Sequence, residues 1–163
     1  ADACRGSSTA AIVLRLPLVI GPGARGNVAR LVDAIEAGRT LPVGAIDNRR
    51  SVLGLANLGD AIVAALDALP APAGVHFVAD ADAVSTPALV RAIAGALGRP
   101  VPLAFVPVAL LKLGARLAGR GAEFGRLAGS LEVDASSFTA ATGWKPGHTL
   151  GEELDRLARS RPS

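Results

Sequence analysis

Three glycines, Gly21-x-Gly23-x-x-Gly26, stand between an apolar run, AIVLRLPLV, and a helical pattern, NVARLVDAIEAG, and an acid, Asp47, follows about twenty residues on. Glycines at this spacing allow a tight turn, and a helix N-terminus presents N–H groups to an anion. The pattern is therefore that of a loop gripping a dinucleotide pyrophosphate, with the carboxylate set for a ribose. Its context argues otherwise. Pro22, between the first two glycines, has no N–H to offer, and Pro17 sits inside the preceding strand, where a central parallel strand does not carry proline. The strands expected after Gly44 are too short and irregular for repeated βαβ units.

The other residues able to do chemistry are few. Cys4 is the lone cysteine. It can form no internal disulfide, which favours a reducing compartment and hence a cytoplasmic protein. His76 has no second ligand at metal spacing and reads as a sheet-face histidine with a structural hydrogen bond. The chain has no tyrosine and only two lysines, Lys112 and Lys145, so any tyrosine acid/base chemistry has to come from elsewhere. The formal charge is +3, carried by arginines scattered along the chain. With aromatics at 3%, there is little to stack on bases, so no nucleic-acid partner is expected. A few arginines converging on a small anion is the better use of this charge. No apolar run reaches the roughly 18 to 20 residues that span a bilayer, so no membrane partner is expected. No signal peptide is legible in ADACRGSSTAA, and the absence of methionine together with the start at Ala1 reads as a processed chain or a piece of a longer one.

These residues must be positioned by a mixed α and β chain, long enough for one core. The pattern predicts strands over 11–19, 51–55, 74–80 and 130–134, with short extended segments at 40–44 and in PVPLAFVPV. Helices are expected over 27–37, 57–69, 85–98, 110–119, 135–142 and 149–159. Asn57 is a plausible N-cap for the second helix, Ser85 or Thr86 with Pro87 starts the third, and GRGAEFGR reads as a loop or a frayed turn. Residues 1–10 read as the end of an upstream helix or a linker, and 11–163 as one lobe.

The order of segments carries a resemblance. LRLPLVIGPGARGN, a helix ending in EAG, then LPVG, NRRS and NLGDAI, and finally EVDASSFTAATGWKP, resemble the extended short-chain dehydrogenase/reductase family. Within it they are most similar to the NAD-dependent sugar-nucleotide epimerase/dehydratases of the UDP-glucose 4-epimerase type. The resemblance covers nearly all of residues 10–160 and rests on the order and spacing of individually modest motifs. It implies an α/β fold: the C-terminal, substrate-binding part of a Rossmann-type enzyme, with mixed short strands and helices. The NAD-binding half and its Tyr-x-x-x-Lys pair would lie outside this chain, which alone would be inactive.

Under the resemblance, the glycines of IGPGARGN serve turns, and the site residues follow from the motifs. Asn27 matches a position that contacts the nucleotide, its alternative being a simple helix N-cap. Leu41 and Val43 match the extended segment along which the uracil lies. Arg50 falls at a diphosphate arginine, with Arg49 the local alternative, and Arg126 at a second one. A diphosphate suits bidentate guanidinium donors. The partner implied is a UDP-sugar, and a homo-oligomer or swapped dimer is expected. Two other readings stay open: a reductase or NAD(P)-binding sensor of the same fold that does not turn over sugar, and an interaction module without a small-molecule site.

Overall fold

The computed structural model describes residues 11–119 and 121–161. Cys4 and the 1–10 segment lie outside them. Pro17 decides the first element: the stretch expected as one strand over 11–19 is two, broken where proline removes a ladder donor. Strand β1 (Ile12–Arg15) and strand β2 (Leu18–Ile20) leave the break for different partners. β2 pairs in parallel with β3 (Val52–Gly54), and β1 in parallel with β4 (Gly74–Phe77). The described residues thus hold two separate two-stranded sheets.

Between β2 and β3 runs α1 (Asn27–Glu36), which buries Val28, Val32 and Ile35 at helical spacing. Gly38, at φ 64°, stops it, a conformation glycine adopts without strain. Helix α2 (Leu55–Asp67) follows β3 directly. It starts two residues earlier than expected, and Asn57 is not its cap: Gly54 holds the N-cap position, and Asn57 is buried in the first turn. Helix α3 (Thr86–Ala96) begins as expected, with the Ser85 side chain accepting from the Ala88 amide and Pro87 in the first turn.

Two further expectations need correction. GRGAEFGR is not a loop, because 121–128 form helix α5 (Gly121–Ala128), lying against α4 (Val108–Leu117). Gly121 permits the approach: a Cβ there would stand 3.2 Å from Arg116 Cγ. The 130–134 segment is no strand but a single bridge from Leu131 to Arg50. The chain ends in α6 (Ser136–Thr142) and α7 (Leu150–Arg159). Thr149 and Glu152 form a reciprocal capping box at the start of α7.

Apolar residues collect in two cores. The larger joins Ile20, α1, Val43, Ile46, α3 and the Leu154–Leu157 face of α7. The smaller packs Leu53, the Ala61–Ala65 face of α2, Val78, Phe138 and Trp144. His76 lies at its edge, its Nε2 3.1 Å from the Pro72 carbonyl oxygen and its ring edge-on to Phe138, in keeping with a structural role.

Candidate functional site

The turn after Ile46 is built around one buried side chain. Asn48 is 3% exposed. Its Nδ2 donates to Thr86 Oγ1 (3.0 Å) and to the Gly129 carbonyl (3.2 Å), and its Oδ1 accepts from the Thr86 amide (2.8 Å). One carboxamide thereby ties the turn to the start of α3 and the end of α5. Such a buried group holds its place because each polar atom has a partner.

The next residues are fixed from both sides. Arg50 exchanges two backbone hydrogen bonds with Val84, both 2.9 Å. The Leu131 amide donates to the Arg49 carbonyl (2.9 Å) and the Ser51 amide to the Leu131 carbonyl (2.8 Å). Ser51 Oγ accepts from the Val133 amide (3.1 Å). Arg50 therefore occupies the middle of a three-segment junction, half-buried, with Nη1 donating to the Gly129 carbonyl at 3.4 Å. Its neighbour differs: the Arg49 guanidinium is committed to Glu132, Nε to carboxylate at 3.1 Å, on the surface. Both arginines are tied to the junction through their backbones, but only the Arg50 guanidinium turns to the Gly129 carbonyl at the end of α5.

The other predicted positions fall as follows. Asn27 is the first residue of α1 and exposed, but Gly26 occupies the N-cap position and no side chain caps the helix. The capping alternative for Asn27 is thus not what is observed. Leu41 is half-buried and bridged to Leu103, its amide donating to the Pro102 carbonyl (3.0 Å) and its carbonyl accepting from the Ala104 amide (2.9 Å). Val43 is buried in the larger core, so its side chain belongs to packing and only its backbone is left to meet a ligand. Val43 and Ile46 belong to the same core as Val28 of α1. Arg126 lies in α5, in place of the expected loop; its side chain is outside the described residues.

The glycine loop packs closely on its surroundings. A Cβ on Gly21 would stand 2.5 Å from Leu55 Cβ and 3.3 Å from the Glu153 carboxylate, so a buried negative group sits where a pyrophosphate would need a positive field. The cavity between the loop, α1 and the end of α7 is about 30 Å³. Asp47 precedes β3, whereas the loop follows β2, and the two strands are parallel. The acid therefore lies toward the opposite end of the pair from the glycines.

Sequence reasoning missed a polar hub at the start of α2. Asp80 accepts from the Gly54 amide (3.0 Å) and from Asn57 Nδ2 (2.7 Å). Asn57, fully buried, also donates to the His148 carbonyl (2.8 Å) and accepts from the Gly147 and His148 amides. Glu153, also fully buried, accepts from the Leu55 amide (3.1 Å) and from Arg156, which in turn reaches His148. Two carboxylates thus meet the N–H end of α2, where the helix dipole favours them. Burial nonetheless holds the Asp80 carboxyl above its ordinary range, against the pull of Asn57 and the Gly54 amide. Among the described residues no His, Cys, Asp and Glu cluster could hold a metal, and no helix is long and apolar enough to cross a membrane.

Comparison with known proteins places this arrangement. The chain is 37% identical over 155 residues to a UDP-glucose 4-epimerase of Vibrio cholerae, covering 94% of this chain and 47% of that protein. Over nearly its whole length the chain is similar to the sugar-nucleotide epimerases of the extended short-chain dehydrogenase/reductases. It spans about half the length of the relative it matches. Solved structures agree on the fold. A UDP-glucuronic acid 4-epimerase from Bacillus cereus, in complex with NAD, superposes with a TM-score of 0.73 at 15% identity, over 98% of this chain and 47% of that one. The Bordetella bronchiseptica enzyme WbmG, in complex with NAD and UDP, gives 0.66 at 22% identity, over 93% and 43%. No family model matches the chain. The α/β architecture of short strands and helices is that of about half an epimerase of this family.

Proposed function

We propose that these residues are the substrate-binding, C-terminal part of an NAD-dependent nucleotide-sugar epimerase or dehydratase and hold a UDP-sugar. Arg50 takes the diphosphate, with Arg126 as a second donor. Asn27 and the Leu41–Val43 backbone take the nucleotide side. The observation that carries the reading is the locking of Arg50 between Val84 and Leu131, with Asn48 pinning the turn beside it. These bonds fix the Arg50 backbone, Nη1 reaches the Gly129 carbonyl at 3.4 Å, and an arginine fork matches phosphate geometry.

NAD is held by a part of the complete protein outside these 163 residues, where it supplies hydride transfer. The acid/base tyrosine comes from there as well, since this chain has none. The protein works in the cytoplasm.

The test is calorimetric titration of UDP-glucose into the full-length protein. Arg50→Ala is expected to weaken binding roughly ten- to a hundredfold, the loss of one charge-assisted contact of about 1.5 to 3 kcal/mol. Its melting temperature should hardly change, and Arg49→Ala should bind as wild type. Unchanged affinity in Arg50→Ala overturns the assignment.

A further inference from the structure

A cleft of about 510 Å³ opens between α4 and α5. Its α4 wall carries Lys112 and Arg116, four residues apart and hence on one helix face. Both are exposed, and among the described residues no carboxylate lines the cleft and neither cation forms an ion pair. Residues 83–122 contain five cations and no acid, and Glu123 follows on α5. Two like charges set on one cleft repel each other, and an anion between them relieves that cost.

The α5 wall is suited to close approach. Gly125 lines the cleft, and a Cβ there would meet nothing within 4 Å. Phe124 adds a flat apolar surface on the same side. The cleft also reaches the junction described above, because Gly129, one of its lining residues, is the carbonyl that receives both Asn48 and Arg50.

We infer that the α4–α5 cleft holds the diphosphate of the nucleotide ligand, Lys112 and Arg116 gripping it from α4 while Arg50 grips it from the Gly129 end. This rests on the reading of Arg50 as a diphosphate ligand. It adds two binding residues from a helix that the sequence motifs did not single out.

The experiment titrates UDP and uridine separately into the full-length protein. Variants are Lys112→Ala, Lys112→Arg, Lys112→Ala/Arg116→Ala, Gly125→Leu and Arg50→Ala, with melting temperature as the folding check. The double variant is expected to lose at least about tenfold in UDP affinity and most of its salt dependence, with uridine binding unchanged. Gly125→Leu fills the cleft from an open position and is expected to abolish UDP binding without moving Lys112 or Arg116. Lys112→Arg restores most of the affinity of Lys112→Ala. If Arg50→Ala weakens UDP while the double variant and Gly125→Leu bind as wild type, the inference fails and the Arg50 reading stands. If none of the variants changes UDP affinity, both fail. Equal losses for UDP and uridine mean the cleft shapes the site without touching phosphate, which also overturns the inference.

Discussion

At the scale of single residues, two glycines separated by one turn and a half make opposite demands. Gly54 has φ −65° and ψ 144°, a backbone open to any residue. Its glycine is required by space: a Cβ would stand 2.5 Å from Glu153 Cγ. Gly59, in the interior of α2, has nothing within 4 Å of the same position. Gly54→Ala should therefore cost about 1 to 3 kcal/mol, as an overpacked site does. Gly59→Ala should gain roughly 0.5 to 1 kcal/mol, because alanine holds a helix better than glycine. Chemical denaturation of both variants checks the pair, and an equal response would mean that Glu153 yields easily. Nothing in the sequence separates these glycines. The difference comes from a carboxylate about a hundred residues away, whose burial no local pattern announces.

At the scale of elements, legibility followed the strength of local chemistry. The start of α3 was readable because Ser85 caps the helix and Pro87 suits its first turn; α7 also starts where expected, held by Thr149 with Glu152. α5 was not readable: its glycines read as breakers, and the helix forms against α4. The 130–134 segment was misread for the converse reason, since strand-like residues bridge only at Leu131. At the junction, the motif singled out Arg50 as a candidate, whereas Asn48, which fixes the turn, carried no local signal. One tie between elements has a predictable pH dependence. Arg161, just past α7, binds Glu36 of α1 with Nη2 to carboxylate at 2.6 Å and also reaches Asp33. The Arg161 hydrogen bond holds the Glu36 carboxyl below its ordinary value of 4.5. A depressed carboxyl contributes stability that is present above its unfolded value and lost as pH falls through the folded one. Arg161→Ala should therefore lower stability near neutral pH, by no more than about 1 kcal/mol for so exposed a group. The gap from wild type should close below about pH 4.5. Melting temperatures from pH 7 to 3 test this, and a gap that widens on acidification would contradict it.

At the scale of the whole molecule, the two sheets are unequal in cover. Parallel strands are normally buried on both faces, and a two-stranded pair is barely stable alone. β2 and β3 meet this requirement, since Val52, Leu53 and Ile20 are buried. β1 and β4 do not: Val75 is 51% and Phe77 38% exposed, and Leu16 at the end of β1 is 42% exposed. Ile62, Val63, Leu66 and Leu69, on and just after α2, are exposed as well. Large apolar side chains left in water on a parallel sheet and on a helix favour association. The isolated 163-residue chain should therefore self-associate through β1, β4 and α2. Light scattering should show mass rising with concentration over the micromolar range. Val75→Lys with Leu66→Glu should shift the population toward monomer while leaving the melting temperature within a few degrees, because both side chains already face solvent. A wild-type chain that stays monomeric at high concentration would mean that this surface is tolerated in water and would remove the argument for a partner on it.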